Sequence, residues 1–359
     1  MKLLEPVKTG RLALKNRMVM APMTRSRATL EGVVGESTVL YYTQRSGAGL
    51  IISEAINISQ QATGSPLTPG IHTVEQINAW KKVTKAVHEA GGVMFAQLWH
   101  TGRVGHSLVR NGQVPVAPTA IGIEGQQHFT LAGMQPYETP RELTSNEIGE
   151  IIHDYKQAAL HAMEAGFDGV ELHAAFGYLP DQFLSDRSNL RQDEYGGSIE
   201  NRNRFVLEVM HALVAAVGEN RAAIRLSPTS TYNNISHTQP LQQFAALIER
   251  LNEMPLAYLH LMKVPFPADR FPQYPPDAVE TFGKLSTHMV MANCGYTRET
   301  GEAELQRGIA GLISYGTLFL ANPDLPKRFE INADLNQADR ATMYGGKDQG
   351  YIDYPFLIN

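Results

Sequence analysis

The sequence predicts an α/β fold, a single (β/α)8 barrel running over residues 1–359, and three observations carry that expectation. Eight short apolar runs alternate with longer amphipathic stretches along the whole chain. Most of the runs are continuous rather than alternating, which suits parallel strands covered on both faces. Barrels of this kind span from about 200 to over 400 residues, and the chain has 359. No composition shift, low-complexity tract or Pro/Gly-rich linker divides it, so one barrel is favoured over two ordinary domains.

The elements follow in order. Met18 to Ala21 is the first strand, and Leu50 to Glu54 the second. The amphipathic stretch Val74 to Ala90 separates the second from the third, Val93 to Leu98. Gly102 to Arg141 then breaks the alternation. It is rich in Gly, Pro, Gln and Thr, and a loop of that length in a compact domain is usually a functional cap. Thr144 to Glu147 has the S/T-x-x-E form of a capping box and heads a helix ending near Gly166. Gly169 to His173 is the fourth strand, followed by a helical pattern over Glu200 to Val217. Ala223 to Ser227 and Pro240 to Met254 form the next pair. Ala257 to Leu261 leads into Val264 to Pro276, an extended loop interrupted by Pro265, Pro267, Pro272 and Pro275. His288 to Ala292 precedes the helix Glu299 to Arg307, and Leu312 to Tyr315 is the eighth strand.

Composition narrows the function. Lys and Arg number 31 against 36 Asp and Glu, a formal net charge of -5. That balance argues against nucleic acid or an anionic membrane as an obligate partner. The only cysteine, Cys294, excludes an internal disulfide or a Cys-rich metal site and fits a reducing compartment. Met1 to Pro6 lacks the apolar core of a secretory signal, and no apolar run reaches the roughly 18 residues of a membrane span. The expectation is a cytoplasmic protein, monomer or homodimer, acting on a small molecule without a metal.

In such barrels the active site lies at the C-terminal ends of the strands. Thr24 follows the first, Gln97 ends the third, His173 ends the fourth and Arg225 lies in the fifth. A hydroxyl, an amide, an imidazole and a guanidinium on one rim suit a planar heteroaromatic ligand with carbonyl and ring-nitrogen groups. The loops after strands seven and eight, where barrels commonly hold phosphate, offer backbone amides around Gly295 and Gly316.

These residues, with Gln97-Leu98-Trp99-His100, the run Gly166 to Tyr178, Asp193 to Arg202, Ala321 to Leu325 and Tyr344 through Pro355, make the chain similar to the old yellow enzyme family of FMN-dependent ene-reductases. The resemblance covers nearly the whole chain. It implies an NADH- or NADPH-driven reduction of α,β-unsaturated carbonyl or nitro compounds. Pro22, Thr24, Ala55, Gln97, Arg225, Cys294, Gly295, Gly316 and Thr317 would bind FMN. Thr24 would meet the flavin near O4 and N5, and Gln97 and Arg225 its pyrimidine edge. Arg225 would stabilise negative charge at N1 and O2. His173 would donate to the substrate carbonyl, and Tyr178 would protonate the α-carbon. His173, Phe176 and Tyr178 would line the substrate site.

Three positions depart from that family's pattern. Its carbonyl clamp pairs the histidine with Asn or His three residues on, where this chain has Phe176, which offers no donor. Its phosphate site has Gly-Arg where this chain has Gly316-Thr317, and a Gly where this chain has Cys294. Both latter changes weaken the phosphate subsite. They leave an alternative open: a diverged barrel with weakened or lost FMN binding, acting in ligand binding or non-redox chemistry.

Overall fold

The computed structural model describes residues 1–357. Eight parallel strands close into a barrel: β1 Met18–Met20, β2 Leu50–Asn57, β3 Met94–Trp99, β4 Gly169–Ala174, β5 Ala222–Leu226, β6 Leu259–Met262, β7 Val290–Asn293 and β8 Leu312–Tyr315. Each strand pairs with its sequence neighbours, and β8 pairs with β1 to complete the ring. The eight predicted runs coincide with the eight strands. β2 outlasts its expected end at Glu54 because the register shifts between Ile52 and Ala55, where a bulge lets the strand run to Asn57.

Helices pack outside. They include α1 Glu36–Gln44, α2 Val74–Glu89, α3 Ser145–Glu164, α4 Ile199–Val217, α5 Pro240–Leu251, α6 Ala278–Gly283, α7 Arg298–Arg307 and α8 Leu325–Ile331, with short helices also at Leu179–Leu184 and Thr317–Ala321. The capping box expected at Thr144 and Glu147 is present at α3, with reciprocal bonds between the two residues. Equivalent boxes start α2 at Thr73 and α7 at Thr297.

The interior has two zones, set by the period of the strands. Val19, Leu50, Ile52, Phe95, Ala223, Tyr258, Met291 and Leu312 form a buried apolar cluster, and Leu14 of the N-terminal hairpin Val7–Thr9/Leu12–Leu14 packs with it. Two residues further along, on the same inward face, the side chains turn polar: Gln97, Arg225, His260, Asn293 and Ser314 follow Phe95, Ala223, Tyr258, Met291 and Leu312. The site therefore rests on a dry plug.

The segment after β3 is more ordered than its composition implies. It carries a hairpin, Gln127–Thr130 against Gly133–Pro136, and a short parallel pairing of Val116–Ala117 with Arg141–Glu142. Arg103 ties it to the barrel rim, donating to the carbonyls of Ile121, Asn233 and Asn234. The C-terminal segment is latched over the β1 end. Arg25 donates to the carbonyls of Met343 and Gly350, and Tyr351 stacks on Tyr41. Among the described residues no helix is long and apolar enough to cross a membrane.

Candidate active site

Register places the chemistry. His173 of β4 lies directly beside Arg225 of β5, and both are buried, at 4% and 5% exposure. Past the end of β4 the backbone turns sharply. Phe176 and Gly177 both have positive φ, 58° and 76°. Phenylalanine does not favour that conformation, so the surroundings hold it. The Phe176 N–H donates to Ser227 Oγ at 2.9 Å, and its carbonyl accepts from Asn233 Nδ2 at 2.8 Å. The Gly177 N–H donates to Asp181 Oδ2 at 2.8 Å.

Three rings surround His173, two of them carried by this turn and one, Trp99, by the end of β3. Tyr178 lies edge-on at 4.8 Å between centroids, Trp99 is stacked at 6.2 Å, and Phe176 is edge-on at 6.3 Å. The Arg225 guanidinium sits over the Phe176 ring at 5.6 Å. Four of the predicted groups, His173, Phe176, Tyr178 and Arg225, thus share one wall, and Trp99 packs edge-on against Tyr178 at 4.9 Å. Tyr232 packs against Phe176 at 6.1 Å.

Protonation follows from this enclosure. Burial, with Arg225 and His260 nearby, pulls the His173 pKa well below its ordinary value, so the imidazole is neutral. Burial, reinforced by Tyr232, Tyr137 and Tyr344, pushes the Tyr178 phenol up, against Arg225. Tyr178 therefore holds its proton throughout the neutral range.

A cavity of about 270 Å³ opens beside Arg225 at the ends of β7, β8 and β1, lined by Pro22, Cys294, Gly295, Gly316 and Thr317 among others. The remaining predicted positions lie outside its lining. Gln97 is buried and donates through Nε2 to Glu171 Oε1 at 2.7 Å. Ala55 is buried opposite Gln97 in the β2–β3 register, and Thr24 is half-buried just past β1. Cys294 has φ 92°, and Gly295 follows at 74°. The cysteine thus occupies backbone suited to glycine.

Two buried atoms point to a ligand. Arg225 Nε and His173 Nδ1 have no hydrogen-bond partner, whereas buried polar atoms are normally satisfied. The donor set of the cavity and the wall fits FMN. Arg225 lines the cavity together with the two Gly-containing loops, and the neutral His173 imidazole stands beside Arg225 on the adjoining wall.

Sequence reasoning did not single out Glu171, His260, Asn293 and Ser314. His260 Nδ1 lies 2.9 Å from Glu171 Oε2, and its Nε2 lies 2.9 Å from Ser314 Oγ. Asn293 Oδ1 accepts from Arg225 Nη2 at 2.9 Å. The available signal was a charged or ionisable residue inside each of two apolar runs, Val170-Glu171-Leu172 and Leu259-His260-Leu261.

Residues 2–336 match the model of the NADH:flavin oxidoreductase / NADH oxidase family. The chain belongs to this family. Its relatives include 12-oxophytodienoate reductase 1 of Oryza sativa subsp. japonica, 44% identical over 99% of this chain and 93% of the relative. 12-oxophytodienoate reductase 2 of Arabidopsis thaliana is 40% identical over 99% of this chain and 96% of the relative. Among solved structures, the old yellow enzyme homologue of Zymomonas mobilis superposes with a TM-score of 0.95 at 42% identity, covering 99% of this chain and 100% of that one. Morphinone reductase in complex with tetrahydroNAD gives 0.94 at 44% identity, covering 100% and 98%. This old yellow enzyme homologue is accordingly an FMN-dependent oxidoreductase on a TIM barrel.

Proposed function

We propose that the enzyme takes hydride from NADH or NADPH and reduces activated alkenes, namely α,β-unsaturated carbonyl or nitro compounds. The observation that carries this reading is the shared wall of His173, Tyr178 and Arg225, with a neutral imidazole and a protonated phenol packed edge to face at 4.8 Å. Bound FMN supplies the hydride chemistry. Arg225 and Gln97 would hold its pyrimidine edge, Thr24 would meet it near O4 and N5, and Pro22 and Ala55 would also contact it. Cys294, Gly295, Gly316 and Thr317, which line the cavity, would hold the phosphate.

The protein's own groups do the rest. His173 donates to the oxygen of the substrate and polarises the double bond. Tyr178 stands on the same wall with its proton retained, ready to deliver it to the α-carbon. Phe176 presents an apolar face where a second donor would stand, so the oxygen is held from one side only.

Purified protein with a flavin absorbance band, oxidising NADPH when cyclohexenone is added, supports the reading. Colourless protein that takes up no added FMN refutes it. That result would favour a barrel without flavin, the reading that Cys294 and Thr317 motivate.

A further inference from the structure

Beneath the wall, six strands in succession each contribute one buried polar group to the barrel interior. They are Gln97 from β3, Glu171 from β4, Arg225 from β5, His260 from β6, Asn293 from β7 and Ser314 from β8, none more than 5% exposed. Glu171 is the hub. Its Oε1 accepts from Gln97 at 2.7 Å, its Oε2 faces His260 Nδ1 at 2.9 Å, and the other face of that imidazole meets Ser314 Oγ at 2.9 Å. Arg225 is tied into the same ring through Asn293, whose Nδ2 donates to the Ser314 carbonyl at 2.9 Å. Glu171 and Arg225 are the two full charges of the group, and each acts on the other.

A buried carboxylate without a catalytic task is costly unless it is paired and bonded. Here it is bonded, to Gln97 and to His260, and it lies in the field of the Arg225 cation without a direct ion pair; Gln97 is itself a residue assigned to the pyrimidine edge of the cofactor. We propose that Glu171 is a positioning residue that sets the charge felt by the cofactor. It fixes the Gln97 amide and offsets the Arg225 cation, holding the reduction potential of bound flavin below the value Arg225 alone would impose. The inference rests on the proposed FMN reading. His260 acts behind it: with Nδ1–H donated to Glu171, Nε2 accepts from the Ser314 hydroxyl.

That tautomer freedom supplies a clean variant. In Glu171→Gln the new amide oxygen accepts from Gln97, its NH₂ donates to His260 Nδ1, and His260 Nε2–H donates to Ser314 Oγ. The bonds survive and only the charge is lost.

The test measures the midpoint potential of bound FMN at pH 7 by dye equilibration, with FMN binding to the wild-type enzyme established first. Glu171→Gln should raise the potential by about 30 mV or more, tenfold in the relative affinity for reduced over oxidised flavin. Glu171→Asp, which keeps the charge, should bring it back most of the way. Glu171→Gln also leaves Arg225 as an uncompensated buried cation, so adding Arg225→Gln should recover thermal stability. An unchanged potential in Glu171→Gln, or a double variant no more stable than Glu171→Gln, overturns the inference. Wild-type protein that binds no FMN refutes the functional reading instead.

Discussion

Phe176→Asn restores a donor at the one place where the wall lacks it. Phe176 has φ 58° and lies within 6.3 Å, ring to ring, of His173. A second donor aimed at a developing oxyanion is worth on the order of 10²-fold in rate, about 2.7 kcal/mol. His173 already holds the oxygen, so a gain of about tenfold or more in kcat/KM is expected for cyclohexenone. Stability should hardly move, because two terms oppose. Asparagine adopts the left-handed region more readily, relieving about 1 kcal/mol of strain. The lost ring contacts to Arg225 and Tyr232, at 5.6 and 6.1 Å, are worth about 0.5–1 kcal/mol each. The assay is NADPH oxidation under nitrogen across a substrate series, with the melting temperature measured alongside. A variant that folds like the wild type, binds FMN and shows no gain with any enone refutes the clamp argument.

Four further outcomes are expected. Cys294→Gly should raise the melting temperature by relieving about 1–2 kcal/mol of left-handed strain and should tighten FMN in a fluorescence titration. Thr317→Arg should lower the Kd for FMN at least tenfold while leaving riboflavin unchanged, since only FMN brings the phosphate that a guanidinium pairs with. Tyr178→Phe should lower alkene reduction while leaving FMN affinity unchanged, and wild-type turnover should not show a phenol titration near pH 10, because burial pushes that pKa up. Burial also pushes the Glu54 carboxyl up to about 7 from an ordinary value of 4.5. A raised carboxyl contributes stability in full below its unfolded pKa and loses it as the pH rises through the folded one. Glu54→Gln should therefore gain melting temperature relative to the wild type as the pH goes from about 5 to 8, and a constant difference would count against it.

The barrel was legible because each strand is buried on both faces, so each reads as a continuous apolar run. α1 was not. Its sequence, Glu36 to Gln44, starts at Gly35 with no side-chain cap and shows only a weak apolar stripe. The hairpin in the cap was hidden by its Gly- and Pro-rich surroundings, and only His128 and Thr130, pointing inward, mark its alternation. At the site, strand-end position singled out His173 and Arg225, whereas Tyr178 came only from the resemblance to the old yellow enzyme family. Glu171 and His260 escaped because each looks like an isolated interruption of its own strand. What joins them is closure of the barrel across 89 residues of sequence, and no local pattern encodes that. The strain at Phe176 was likewise invisible, since it depends on Ser227 and Asn233 gripping the backbone from another loop.

Two of the three departures from the family pattern share a physical property. Phe176 and Cys294 both occupy left-handed backbone, where a side chain is under strain. Thr317 adds none, and it lies with Cys294 on the cavity beside Arg225. If the cavity had lost its ligand, Arg225 Nε would stay buried without an acceptor, at a cost of about 1–3 kcal/mol. The intact Glu171 and His260 network would then hold a cation for nothing. Replacing the whole ionic group by apolar side chains is often neutral or stabilising in buried sites, so a flavin-free barrel has no physical reason to keep it. The polar upper zone is thus best accounted for by a bound flavin.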